Sequence, residues 1–268
     1  MPKSHPILCG SIAGSIGGMG VKMHNAAFQH LNLPYVYVSF ETASAKGAVD
    51  AMRALGIRGL GVTMPFKEEV IQYLDDIDEM SGEIGAVNTI VNDDGKLKGY
   101  NTDAYGAITT LLEVTPLKGK KIVVVGAGGA AKTVIWALKQ YTDSIFIYNR
   151  NPERGQSVGK RFNVAYMGGL EELGRDFEYD ILINCTSVGF KSEATILTRD
   201  RICSESIVMD IVFTPAVTAL QKEAKAAGCT VISGTRMIMH QACKQFELYT
   251  GLNAPFDIYE EVINTVVR

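Results

Sequence analysis

No segment of this chain carries a block of charge of one sign. Its 26 Lys and Arg stand against 29 Asp and Glu, a formal net charge of −3 with no basic run. Bulk electrostatics therefore offers nothing to nucleic acid or to an anionic membrane, and a small-molecule partner is expected. Apolar runs approaching the ~20 residues of a membrane span are missing, and Met1-Pro2-Lys3-Ser4-His5-Pro6 has no signal-peptide core, which predicts a cytoplasmic protein with no membrane partner. The five cysteines (Cys9, Cys185, Cys203, Cys229 and Cys243) are odd in number and scattered without C-x-x-C spacing. That disfavours a disulfide framework and a cysteine zinc site, and no histidine stands at ligand spacing to His24, so no metal is expected. Internal repeats, low-complexity tracts and long flexible linkers are also lacking.

With 47% hydrophobic residues over 268 positions, the chain can build one large α/β domain or two smaller ones. One stretch organises the rest. Ile122-Val123-Val124-Val125 reads as a strand buried on both faces, and Gly126-Ala127-Gly128-Gly129-Ala130-Ala131 continues it with the G-x-G-x-x-A spacing of a Rossmann turn. Gly126 allows the tight turn, Gly128 lets backbone approach a pyrophosphate, and Ala131 permits close helix packing below free N–H groups that suit phosphate. A glycine-rich strand-to-helix turn without a ligand has the same spacing.

Before this turn, strands are expected at 6–12, 35–40 and 58–63, with a glycine-rich loop over 13–20, a helix from about Met23 and another over 43–55. Short helices follow at 68–74 and 78–84, then a hairpin of 87–91 with 96–100 about Asp93-Asp94-Gly95. The alternation implies a largely parallel sheet. A helix over 105–112 leads to the turn, after which strands at 145–148, 181–184, 207–211 and 230–232 alternate with helices from Pro152, Val217 and Thr235. Two α/β domains result: 1–103, joined by returning helices at 236–268, and a Rossmann dinucleotide-binding domain at 104–235, the two expected to meet across a ligand cleft.

About 20 residues past the glycines, where an NAD site offers a carboxylate to the ribose, the chain has Asn149-Arg150-Asn151. A guanidinium suits a 2′-phosphate, so the expected cofactor is NADP, although an arginine opening a surface loop looks the same. Lys67, in Val62-Thr63-Met64-Pro65-Phe66-Lys67, and Asp103, in Gly99-Tyr100-Asn101-Thr102-Asp103, both follow predicted strands. Strand carboxyl ends form the ligand crevice of an α/β sheet, so the two residues make a candidate proton-transfer pair for hydride chemistry; a surface ion pair is the plainer alternative. Cys185 lacks a positioned base and is expected as packing, as are Met237, Met239 and Trp136, while His24 is expected to pack in the first domain.

Several separated segments, taken in order, resemble the shikimate dehydrogenase family: 62–67, Gly85-Ala86-Val87-Asn88-Thr89, Asn101-Thr102-Asp103, the glycine turn, Asn149-Arg150, Asn184-Cys185-Thr186-Ser187-Val188-Gly189, and Gly234 through Met237 to Gln241-Ala242. The resemblance implies reversible NADP-linked oxidation of shikimate to 3-dehydroshikimate, a step of aromatic amino acid biosynthesis, by a monomer or homodimer. It assigns Lys67 and Asp103 to catalysis and Thr63, Asn88 and Gln241 to substrate hydroxyls. Gly126, Ala127, Gly128, Gly129, Ala130, Asn149, Arg150, Thr186 and Met237 fall to the cofactor. The chain departs from the family where a Ser-x-Ser-Pro segment and a tyrosine grip the substrate carboxylate: Gly18, Gly20, Val21 and Phe213 stand there. Three lost hydrogen bonds to a charged group, each worth about 1.5–3 kcal/mol, would weaken shikimate binding unless Ser11, Ser15 or loop N–H groups replace them. The pattern resembles the divergent shikimate dehydrogenase-like branch, with quinate or an aminoshikimate as variant substrates. A cofactor-binding regulator of the same fold is the alternative.

Overall fold

The computed structural model describes residues 5–14, 18–174 and 177–266. The chain forms two compact units, one built from the residues up to Thr102 and again from Gln241, the other from Asp103–His240.

The first unit runs β1 (Ile7–Ala13), α1 (Met19–His30), β2 (Tyr35–Glu41), α2 (Ala45–Ala54), β3 (Gly59–Val62), a 3-10 turn at Glu69–Tyr73, β4 (Asp76–Ile77), α3 (Glu79–Ile84), β5 (Thr89–Asp93) and β6 (Lys96–Tyr100). Its sheet has the order β2-β1-β3-β5-β6-β4. Only part of it is parallel: β1 pairs in parallel with β2 and β3, but β5 runs antiparallel to both β3 and β6. The hairpin is the reason. Asp94 and Gly95 both hold positive φ (52° and 94°), the two-residue turn whose twist matches antiparallel strands. Inward residues Ile12, Leu60, Val62, Ile90 and Leu97 form a core with Val49 and Met52 of α2, which Ser44 caps by accepting the Gly47 N–H at 3.0 Å. The expected loop over 13–20 is shorter than its glycines suggest: Ala13 still belongs to β1, and Met19 and Gly20 already belong to α1, whose start needs no side-chain cap at Gly18. Ser15 lies outside the described residues.

The second unit continues with α4 (Thr102–Leu112), β7 (Ile122–Val125), α5 (Gly129–Leu138), β8 (Ile145–Tyr148), α6 (Pro152–Phe162), β9 (Ala165–Gly168), a 3-10 turn at Leu170–Glu172, β10 (Ile181–Asn184), β11 (Ile207–Asp210), α7 (Ala219–Ala226), β12 (Thr230–Ser233) and α8 (Gly234–Thr250). The sheet order β12-β11-β10-β7-β8-β9 is parallel throughout and is that of a doubly wound Rossmann sheet, with its order reversing between β7 and β10. Strand β9 is absent from the sequence expectations because Ala165-Tyr166-Met167-Gly168 is too short and too little β-branched to signal itself. Trp136, expected in the core, is only half-buried on α5.

Helix α8 is continuous, so the return to the first unit falls inside it at Gln241. Its earlier residues are held in the second unit, where Arg236 forks onto the Glu113 carboxylate at 2.7 and 2.9 Å and His240 reaches it at 2.9 Å. A last helix, α9 (Phe256–Val266), packs on α1, as the sequence predicts for the returning segment. Between them lies an aromatic cluster about His24. The imidazole stacks on Tyr37 with centroids 4.4 Å apart and meets Tyr259 edge-on, while Phe28 and Phe246 stack beside it. Tyr249 of α8 fits against β3 because Gly59 has no side chain: a Cβ there would lie 2.2 Å from the Tyr249 ring.

Burial of His24 pushes its pKa down from 6.5 to about 4, because the charged ring loses its water. The unfolded ring takes a proton near 6.5 and the folded ring only near about 4, so the unfolded state binds more protons between these values. Stability should therefore rise from pH 4 to 6.5 and hold above, with His24 contributing a few kcal/mol, on the order of 3, to the difference. Denaturant unfolding of wild type and His24→Phe across that range measures it; an equal slope in both would exclude His24 as the source.

Candidate active site

In the second unit the glycine turn sits at the carboxyl end of β7, beside the point where strand order reverses. Gly126 takes φ 119°, and a Cβ there would press on the Cys185 backbone at 3.1 Å, so glycine is required by conformation and by space. Gly128 and Gly129 differ. A Cβ at either meets nothing within 4 Å, so packing within the chain does not demand glycine there. Gly128 is the N-cap of α5 and supplies no side-chain cap, so the first-turn N–H groups receive no oxygen from it. Ala127 and Ala131 are buried, and the helix packs tightly on the sheet behind a bare, positively polarised end. These features fit a dinucleotide pyrophosphate against Gly126–Ala130.

At the end of β8, Asn149 is fixed on three sides. Its N–H bonds the Gly168 carbonyl (2.9 Å), its carbonyl accepts the Tyr166 hydroxyl (3.2 Å), and its amide donates to the Asn151 carbonyl (2.7 Å). Asn151 caps α6 by accepting the Arg154 N–H at 2.9 Å, and Arg150 projects exposed between them. No acidic residue stands in this turn, which fits a 2′-phosphate rather than a free ribose hydroxyl.

At the ends of β10 and β11 lies a buried network that the sequence motif contains only in part. Asn184 accepts both the N–H and the hydroxyl of Thr186 (3.0 and 2.7 Å) and donates its amide to Asp210 at 2.9 Å. Asp210, fully buried, also accepts Val212 N–H and, at 2.6 Å, the Thr218 hydroxyl that caps α7. Burial raises the Asp210 pKa, with these donors opposing. Sequence spacing does not single out Asp210; its one signal is the position at the end of a strand pattern. Cys185 is buried and its thiol is driven upward by desolvation, which suits packing rather than nucleophilic attack. Met237 and Met239 are buried on α8, and Phe213 is half-buried beyond β11.

In the first unit, Thr63 follows β3 directly and is exposed, with its N–H on the Ile12 carbonyl at 3.0 Å. Half-buried Lys67 follows, its carbonyl accepting the Val87 N–H at 2.8 Å. Asn88 is 1% exposed: Oδ1 accepts the Thr102 N–H (2.7 Å) and the Thr89 hydroxyl (2.8 Å), and Nδ2 donates to the Thr102 hydroxyl (3.0 Å). Asp103 is the next residue, 8% exposed in the first turn of α4. Hydrogen bonds and chain continuity thus lead from Lys67 through Val87, Asn88 and Thr102 to Asp103. Gln241 is half-buried on α8, and one turn on, Gln245 donates to the Thr89 hydroxyl at 2.9 Å. Gln245 is a polar contact that the motifs do not reveal; its spacing of four from Gln241 on one helix face is the available signal. Ser11 shares a hydrogen bond with Ser39 at 3.3 Å. Among the described residues no cluster of His, Cys, Asp and Glu could hold a metal, and no helix is long and apolar enough to cross a membrane.

Replacing Asp210 by Leu would strip acceptors from Asn184, Val212 and Thr218 together. At about 1–3 kcal/mol for an unsatisfied buried donor, the variant should lose about 3 kcal/mol or more of unfolding free energy. Equilibrium denaturation reads this, and a loss below about 0.5 kcal/mol, as for a surface site, would show the network to be dispensable.

The shikimate dehydrogenase substrate binding domain matches residues 18–90, and the shikimate / quinate 5-dehydrogenase domain matches residues 110–218. The NADP(+) shikimate dehydrogenase of Pyrococcus abyssi is 41% identical over 241 residues, covering 90% of each chain. A shikimate dehydrogenase-like protein of Haemophilus influenzae is 41% identical over 249 residues, 91% of this chain and 90% of its own. The shikimate 5-dehydrogenase of Thermus thermophilus, solved in complex with NADP(H) and shikimate, superposes with a TM-score of 0.90 at 30% identity over 97% of this chain and 99% of that one. Likeness of that extent in both sequence and fold makes the chain a member of the shikimate dehydrogenase family.

Proposed function

We propose that this chain is an NADP-dependent oxidoreductase that interconverts shikimate, or a related ring polyol acid such as quinate or an aminoshikimate, with its 3-dehydro form. The observation that carries the reading is the connected path from the Lys67 backbone carbonyl through Val87, Asn88 and Thr102 to Asp103, which anchors the backbones of an amine-bearing and a carboxylate-bearing residue to the ends of neighbouring strands. A carbon that gives up or takes a hydride needs a proton to leave or reach its oxygen. Lys67 moves that proton, and Asp103 orients the substrate hydroxyl and holds the amine. Thr63, Asn88 and Gln241 take further ring hydroxyls; the Asn88 amide keeps a second N–H beyond the one given to Thr102. Gly126 to Ala130 and the start of α5 receive the pyrophosphate, Asn149 and Arg150 the adenosine phosphate, and Thr186 and Met237 line the nicotinamide end. When bound, NADP supplies or accepts the hydride.

Support for shikimate itself comes from the Thermus thermophilus relative, solved with NADP(H) and shikimate. Gly18, Gly20 and Phe213 widen the expectation to the class of ring polyol acids, since none brings a side-chain hydroxyl to a carboxylate. We place the enzyme in the cytoplasm, its five cysteines unpaired, as a monomer or homodimer. A binding-only regulator is not supported: the relatives carry enzyme names, and Lys67 and Asp103 are both retained.

Turnover is read by nicotinamide absorbance on a panel of shikimate, quinate and aminoshikimate. Lys67→Ala should keep NADPH affinity and lose about 10²–10⁴ in kcat. Unchanged kcat in that variant, or no turnover of any panel member by wild type, would overturn the proposal.

A further inference from the structure

The loops after β10 and β11 stand on the far side of the strand-order reversal from Asn149 and Arg150. One of them packs on the glycine turn: a Cβ on Gly126 would lie 3.1 Å from the Cys185 carbonyl oxygen and 3.3 Å from the Thr186 methyl. The two loops also hold each other, through the Lys191 N–H on the Thr214 carbonyl at 2.8 Å. A dinucleotide that crosses the reversal with its adenosine phosphate at Arg150 brings its nicotinamide half to these loops.

Beneath them, every hydrogen bond has one direction. The Thr186 backbone N–H can only donate, so the Asn184 atom 3.0 Å from it is the oxygen, and the Thr186 hydroxyl gives its hydrogen to that oxygen at 2.7 Å. The same hydroxyl accepts the Val188 N–H at 3.1 Å. The Asn184 amide nitrogen is left facing the Val188 carbonyl at 3.3 Å and Asp210 Oδ1 at 2.9 Å. Oδ1 also takes the Val212 N–H at 3.1 Å, and Oδ2 takes the Thr218 hydroxyl at 2.6 Å, whose oxygen accepts the Gln221 N–H. Asp210 thus receives three donors, one that governs the turn after β10 and two from the loop after β11. Turning the Asn184 amide over would set its oxygen against two acceptors.

We infer that Asp210 is a positioning residue for the nicotinamide half of NADP, acting through Asn184 on the Thr186 turn and through Val212 and Thr218 on the second loop. Asp210 has no exposed surface and touches neither cofactor nor substrate in this scheme. The adenosine end stands apart from it, because Asn149 is held by Gly168, Tyr166 and Asn151. Losing Asp210 therefore loosens one half of the dinucleotide site and leaves the other. Asparagine at this position keeps most of the network: its oxygen takes Asn184 and Val212, and its amide nitrogen donates to the Thr218 oxygen.

The test is binding to the full chain, without turnover: NADPH followed by its fluorescence, and adenosine 2′,5′-bisphosphate, which carries the adenosine half alone, followed by calorimetry. Each variant is titrated where circular dichroism shows it folded. Asp210→Leu should raise the NADPH Kd about tenfold, the worth of roughly one hydrogen bond, with the bisphosphate Kd within about twofold of wild type. Asp210→Asn should bring NADPH back to within about threefold of wild type. An unchanged NADPH Kd in Asp210→Leu overturns the inference, as does an equal loss for both ligands or an Asp210→Asn as weak as Asp210→Leu. If Asp210→Leu does not fold, Thr218→Val, which cuts one tie to the second loop, decides: NADPH weakened about threefold or more with the bisphosphate unchanged supports the inference, and any other result overturns it. The inference rests on NADP as the cofactor. Wild type that binds neither ligand overturns that reading and the inference together, whereas tight wild-type binding with equal losses in the variant overturns the inference alone.

Discussion

One buried carboxamide joins three strands of the first unit to the helix that leaves it. The Asn88 backbone accepts the Val62 N–H at 2.7 Å and donates to Tyr100 at 3.0 Å, while its side chain receives Thr102 N–H and the Thr89 hydroxyl. The ends of β3, β5 and β6 and the entry to α4 therefore share one residue with almost no access to water. Each of these groups would cost about 1–3 kcal/mol if left unpaired in so dry a place. The chain can leave β6 in few other ways, and Asp103 enters its helix from a backbone already fixed. Lys67 is tied to the same point by its carbonyl on Val87.

The second unit answers to a different constraint. Its sheet is wholly parallel, so strands must return by crossovers and loops collect at the carboxyl ends. Gly126 turns the chain in a space that no side chain could share with Cys185, and Gly128 leaves the start of α5 without a side-chain cap. Further along the same edge, Asp210 gathers Asn184, Val212 and Thr218, so the loops after β10 and β11 are shaped by one buried carboxyl. Backbone N–H groups at the start of α5 and the exposed Arg150 sit in the loops along this edge.

Much of this is readable in order along the chain because it rests on local signals. The glycine spacing after four apolar residues, the Asp-Gly hairpin and the β/α rhythm each depend on neighbours in sequence, and each appears where expected. What cannot be read that way depends on partners far away. Helix α1 starts at Met19, despite the glycines there, and packs against α9, a partner far along the chain. Ala165–Gly168 becomes a strand because β8 offers an unpaired edge, and the Tyr166 ring fits only because Gly155 has no side chain. Gln245 and Tyr259 lie 156 and 235 residues from Thr89 and His24, the groups they contact, so no window of sequence links either pair.

Placing the reaction on this chain means that hydrogen passes directly between the nicotinamide and the ring carbon, with the proton handled separately by Lys67. An isotope label separates these routes. Wild-type protein would reduce 3-dehydroshikimate in ordinary water with NADPH deuterated at the transferable position. Deuterium on the ring carbon bearing the new hydroxyl, in step with the NADP formed, is the predicted result. A product carrying only solvent hydrogen at that carbon would contradict direct transfer.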